Sequence, residues 1–163
     1  MAGKNDLRIE DAKIMFRNFA GREDKFNRAG DRNFAVKIPN DVVDQLKDFG
    51  WNIKMIAPHD DFEEPLYYLP VSVSYRNIPP KIVLVTSKKN TPLDEDMIEI
   101  IDTMELKTVD LIISPYHWEV NGNKGVKAYL RTGYFVMEED PFAYKYEREE
   151  CNALPPGEEK EPF

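Results

Sequence analysis

The chain holds few residues that could carry covalent or metal chemistry. His59 and His117 are its only histidines and Cys151 its only cysteine, and neither histidine stands at a metal-ligand spacing from that cysteine. His59-Asp60-Asp61 and Glu63-Glu64 put carboxylates near an imidazole in the loop Pro58–Pro65, a composition that can attract a divalent cation but is ordinarily just solvated. There is no phosphate-cradling G-x-x-x-x-G-K-[ST], no G-x-G-x-x-G after a strand and no G-x-S-x-G nucleophile turn. No enzyme, no cofactor and no metal site is expected from these residue types.

Binding chemistry is better represented. From Phe16 to Ile38 the chain carries Arg17, Arg22, Lys25, Arg28, Arg32 and Lys37 against Glu23, Asp24 and Asp31, with Phe16, Phe19, Phe26 and Phe34 interleaved. Cations that track a phosphate chain and rings that stack on bases are the two ingredients of a grip on single-stranded nucleic acid, at ~1–3 kcal/mol per stacked base. The same pairing recurs at Trp51 with Lys54, at Tyr75 with Arg76, and in the segment holding Tyr116, Trp118, Lys127, Tyr129 and Arg131. There Lys127, Tyr129 and Arg131 alternate with Val126, Ala128 and Leu130, so a strand would show a Lys-Tyr-Arg row on one face and an apolar row on the other. Each residue also has a plainer role. Phe16, Phe34 and Trp51 fall in expected strands, where rings usually fill the core, and the Lys-Tyr-Arg row could be an ordinary solvated face. Arg17, Arg22, Lys25, Arg28 and Arg32 read as a phosphate-facing rim, with Phe19 and Phe26, at or inside a polar loop, as the stacking rings.

A net charge of −8 argues at first against a polyanionic partner, but the charge is unevenly placed. From Glu138 to Phe163 nine acids face three bases, a local charge of −6, which leaves −2 for everything before it. Met1 to Lys37 carries nine bases and six acids, a net of +3. The chain is a nearly neutral body with a basic start and an acidic tail.

The elements that must position these residues are mostly strands. At 163 residues with 42% hydrophobic content the chain fits one domain with a real core. No apolar run approaches the ~20 residues of a membrane helix, the start lacks the apolar stretch of a secretory signal, and a single cysteine suits a reducing cytoplasm. Leu7 to Phe19 predicts a strand bent near Asp11, and Ala20 to Asp31 a loop long for a hairpin. Arg32 to Ile38 returns as a strand, and Asn40 caps a short helix through Phe49, ended by Gly50. Trp51–Ala57, Leu66–Arg76 and Lys81–Ser87 follow as strands, with Pro70 pointing to an edge or bulge. Thr91-Pro92 opens a second helix burying Leu93, Met97, Ile98 and Ile101. A hairpin closes the set, from Leu106–Val120 through Asn121-Gly122-Asn123 to Gly125–Met137. About seven strands and two short helices predict a mainly β, antiparallel fold, for which a small barrel hides the sheet edges.

The ending Pro155-Pro-Gly-Glu-Glu-Lys-Glu-Pro-Phe163 resembles the acidic Pro-Phe tip of bacterial single-stranded DNA-binding proteins and the acidic tails of their bacteriophage equivalents. Arg17–Phe34, R-N-F-A-G-R-E-D-K-F-N-R-A-G-D-R-N-F, and Asp48–Lys54, D-F-G-W-N-I-K, are likewise similar to phage-type single-stranded DNA-binding proteins with an OB-fold, over about residues 7–140. The resemblance implies an OB-like nucleic-acid-binding domain at 1–140 and a largely disordered tail at 141–163. It implies single-stranded DNA as partner, coated without strong sequence preference in the cytoplasm of a bacterial host. It further implies that Glu158, Glu159, Glu161, Pro162 and Phe163 recruit replication or recombination proteins and compete electrostatically with DNA. No membrane role is expected, and a homo-oligomer is compatible with all of this. Two rival readings stand beside it. One is an acidic DNA mimic or inhibitor that binds a host enzyme, favoured by the negative sum; the other is a structural protein that assembles through its termini.

Overall fold

The computed structural model describes residues 5–25, 27–60, 63–76, 78–140 and 142. Phe26 and the tail positions Glu158, Glu159, Glu161, Pro162 and Phe163 lie outside the described residues.

The expected bend at Asp11 is a break. Asp11 takes a φ of 54°, and the N-terminal run divides into β1 (Leu7–Ile9) and β2 (Ile14–Asn18). β3 (Arg32–Ile38) follows, then a 3-10 turn at Asn40–Val42 leading into α1 (Val43–Phe49), then β4 (Lys54–Ile56) and β5 (Leu66–Val73). β6 (Lys81–Val85), β7 (Asn90–Leu93), a 3-10 turn at Ile98–Asp102, β8 (Leu106–Val120) and β9 (Asn123–Met137) complete the order.

The strands form one curved sheet in the order β1-β8-β9-β5-β3-β2, with β4 on β5, β6 on β9 and β7 on β6. The two halves of the broken first strand sit at the two ends of this path. Around the bend the chain bonds to both sides, Ala12 N–H donating to Val109 O at 2.7 Å and Lys37 N–H to Lys13 O at 2.8 Å. The open sheet thereby curls back on itself, as the expected OB-like barrel would require, without closing. Its ladders are antiparallel except where β9 runs parallel to β5 and then to β6. That change of partner falls at a bulge: Ile112 pairs with Thr132 but Ile113 with Leu130, so Arg131 is left over. The bulge also resets the inward face, which is Val126, Ala128 and Leu130 before it and Phe135 after it.

Strand alternation explains the core. Phe34, Val36 and Ile38 of β3, Leu69, Val71 and Val73 of β5, and Val109, Leu111 and Ile113 of β8 are all buried. Asn121 and Gly122 carry the positive φ values, 53° and 84°, that a two-residue type I′ hairpin turn needs. Pro70 sits where the outer edge of β5 passes from β4 (opposite residues 66–68) to β9 (opposite residues 71–72), so its missing N–H breaks no ladder bond there.

Three local expectations are corrected. Thr91-Pro92 opens no helix; it belongs to β7, an edge strand, and only the single 3-10 turn Ile98–Asp102 is helical, burying Ile98 and Ile101 while Met97 stays 46% exposed. The strand expected at Trp51–Ala57 shrinks to Lys54–Ile56, with Trp51 making an isolated bridge to Val126. Asn40 does not cap its helix; its amide donates to Glu64 Oε1 at 2.7 Å.

Candidate nucleic-acid interface

Four adjacent strands show their polar face to solvent. Register lines up Asn33 of β3, Ser72 of β5, Tyr129 of β9 and Ser114 of β8 in one row across the sheet. The loop between β2 and β3 rises on one side and the β8–β9 hairpin on the other, enclosing a groove of about 620 Å³. Five cations line it, Arg28, Arg32, Arg76, Lys127 and Arg131, against two acids, Asp31 and Glu95.

Tyr116 and Tyr129 provide flat faces in this groove, their rings near-parallel at 28° with centroids 6.1 Å apart. Lys127, which pairs with Tyr116 across the hairpin, holds its ammonium 5.3 Å from the Tyr129 ring centroid. The Arg131 guanidinium lies 3.8 Å from the Asp6 carboxylate. Arg28 bonds Asp31 at 3.3 Å, and Arg32 bonds Glu95 at 3.0 Å while lying 6.0 Å from the Tyr75 ring. These ion pairs occupy the cations with carboxylates that a phosphate could replace.

Three buried side-chain atoms among the described residues have no hydrogen-bond partner: Arg32 Nε, Tyr75 Oη and Ser114 Oγ. Arg32 and Ser114 line the groove, and Tyr75 packs on Arg32. A buried polar group left unpaired by the protein costs ~1–3 kcal/mol, and two of the three, on Arg32 and Ser114, lie in the groove wall. Burial pushes the Tyr75 hydroxyl up to about 12; the Arg32 charge opposes this, and Glu95 and Asp94 add to it. Tyr75 therefore stays a neutral donor at any ordinary pH.

The groove unites seven of the residues singled out from the sequence: Arg28, Arg32, Arg76, Tyr116, Lys127, Tyr129 and Arg131. Others it leaves elsewhere. Phe19 is 0% exposed, stacked on Phe34 at 5.1 Å and edge-on to Phe135 at 5.6 Å, so the expected base platform is a core ring. Trp51 is also buried, stacked on Phe49 at 5.5 Å. Arg17 turns toward the body, where one guanidinium nitrogen donates to Ile101 O and Met104 O, both at 2.7 Å. It tethers the Ile98–Asp102 turn and is no phosphate contact.

Arg22 is exposed but pairs with Asp102 at 3.4 Å, and the same nearly buried carboxylate accepts the Phe19 and Ala20 N–H groups at 2.6 and 3.0 Å. This anchor holds the start of the basic loop against the body. Lys25 lies exposed on that loop, and Lys54 exposed on β4, both outside the groove. Trp118 lies on the groove-facing side of the hairpin but beyond the groove, its indole so close over Gly125 that a Cβ there would meet it at 2.9 Å.

Sequence reasoning missed Asn33, Ser72, Ser74, Ser114 and Ile78, all of which line the groove. The signal for Ser72 and Ser74 was present: in Val71-Ser72-Val73-Ser74 the serines hold the parity opposite the buried valines. It also mistook Phe16 for a core ring, although it is 60% exposed.

A family model described as "Putative phage ssDNA-binding domain" matches residues 2–153. No curated protein matches significantly. Among solved structures, the single-stranded DNA-binding protein from bacteriophage Enc34 is similar with a TM-score of 0.51 at 12% identity, covering 84% of this chain and 83% of that one. The Enc34 protein in complex with ssDNA gives a TM-score of 0.50 at 14% identity, covering 84% and 89%. At such identities the likeness concerns the fold. The family match spans nearly the whole chain, and the chain belongs to the phage single-stranded DNA-binding domain family.

Proposed function

We propose that this protein binds single-stranded DNA in the groove between the β2–β3 loop and the β8–β9 hairpin, with little sequence preference and without catalysis. One observation carries the reading: five cations and a stacked tyrosine pair converge on one groove over the sheet. Phosphates would take the Arg28 and Arg32 guanidinium groups from Asp31 and Glu95 and meet the Lys127 ammonium directly, and bases would stack on Tyr116 and Tyr129. Every base has a π-face, so such a grip tolerates any sequence. Membership of a phage DNA-binding family supports the same reading, as does the likeness to a protein solved with ssDNA.

The acidic tail adds a second part to the proposal. Carrying −6 from Glu138 onward, it is tethered at high effective concentration to a basic groove and would mimic the phosphate chain. DNA would displace it and free Glu158, Glu159, Glu161, Pro162 and Phe163 to recruit replication or recombination proteins in the cytoplasm of a bacterial host.

Fluorescence anisotropy with poly-dT and duplex oligonucleotides at several salt concentrations tests the first part. Five phosphate contacts predict a slope of log K against log salt of about −3.5 for the single strand. Absence of poly-dT binding at low salt would end the reading and return the chain to the rival of an acidic inhibitor. Deleting Glu158–Phe163 should raise DNA affinity; an unchanged affinity and slope would remove the competing tail.

A further inference from the structure

Away from the groove, Phe16 is 60% exposed and holds a φ of 53°, a left-handed conformation that a bulky residue adopts only under constraint. It lies in the irregularity of β2 between Met15 and Asn18. From there its ring reaches across β3 to meet Tyr68 of β5 edge-on at 5.5 Å. The bulge sends Arg17 and Phe19 to the body, but the Phe16 ring itself is left unburied.

The surroundings are cationic. Register places Lys37 of β3 on one side of Tyr68 and Lys54 of β4 on the other. Both lysines are exposed, and among the described residues neither makes an ion pair. Tyr68 is four residues from Ser72 on β5, and Lys37 four from Asn33 on β3, so both face the same way as the groove row. Four residues of strand span ~14 Å at ~3.4 Å each, a distance that about four stacked nucleotides also cover at ~3.4 Å each along one strand.

We propose that Phe16 and Tyr68, flanked by Lys37 and Lys54, form a second stacking subsite that takes bases of the single strand as it leaves the groove. The inference rests on the reading of the groove as the DNA site. Continuity of one sheet face and the two unpaired lysines favour a nucleic acid strand over a protein as occupant.

Anisotropy with dT5 and dT15 tests it, since OB-type domains cover ~4–16 nucleotides and the shorter probe fills the groove alone. Phe16→Gly removes the ring and also relieves the positive φ, so its melting temperature should hold or rise; Tyr68→Leu is the second variant. Both should bind dT5 as the wild type does and lose about ten-fold on dT15. Unchanged dT15 affinity, which would leave the platform to a protein partner, overturns the proposal. So does an equal loss on both lengths. A wild-type protein that binds neither probe would overturn the groove reading itself, and this subsite with it.

Discussion

The basic stretch Phe16–Ile38 and the β8–β9 hairpin carry the same residue types, yet the fold uses them differently. In the first, Phe19 fills the core, Arg17 ties down a 3-10 turn, and Arg22 pairs with an anchored carboxylate. Only Arg28 and Arg32 of its five rim candidates reach the groove. In the hairpin, Lys127, Tyr129 and Arg131 all reach it, together with Tyr116 from the facing strand. Density of basic and aromatic residues marks a region, whereas a regular alternation marks which side chains face outward. A long loop has no fixed parity, so its cations can fold back on its own backbone or on the body.

Substitutions can break or sharpen this contrast. The largest effect should come from Phe19→Ala, which empties a fully buried ring position between Phe34 and Phe135 and should cost ~3–5 kcal/mol of stability. Thermal melting reads the loss directly. A stable variant with weakened DNA binding would instead restore Phe19 to the interface. Next comes the pair Tyr116→Ala with Tyr129→Ala. It should leave the fold intact and weaken binding to dT oligonucleotides by ~1–3 kcal/mol per base unstacked, measured by anisotropy with circular dichroism as the folding control. The smallest change separates the two kinds of cation. Lys127→Ala and Arg76→Ala should each flatten the salt slope by ~0.7. Arg17→Ala should leave the slope alone and lower the melting temperature, because it loses two hydrogen bonds to carbonyl groups. A flattened slope for Arg17→Ala would erase the distinction between the regions.

Much of the fold was legible. β3 was placed over Arg32–Ile38 and β8 over Leu106–Val120, because runs rich in β-branched and aromatic residues, bounded by turn formers, leave few other solutions. The hairpin turn followed from Asn121-Gly122, the residue types that tolerate two positive φ values. The misread Thr91-Pro92 shows the limit: proline suits the first turn of a helix and an edge strand equally, and only the open edge of β6 decided between them. The groove was half legible. Its hairpin wall followed from parity, while the Asn33-Ser72-Tyr129-Ser114 row depended on the register of two pairings between segments far apart in sequence, β3 with β5 and β5 with β9.

By itself, then, the sequence determined the class of fold, the alternating Lys-Tyr-Arg face, the separation of an acidic tail from a nearly neutral body, and the absence of familiar catalytic motifs. These depend on local periodicity and composition, which survive any arrangement of the strands. Tertiary structure decided which rings are buried, which arginines are bound to the body's own backbone, and where the groove runs. It also decided that Phe16 stands exposed in a strained bulge beside Tyr68. Each of these turns on a bulge, a bend or a long-range register, and a shift of one residue in any of them sends a side chain to the opposite face.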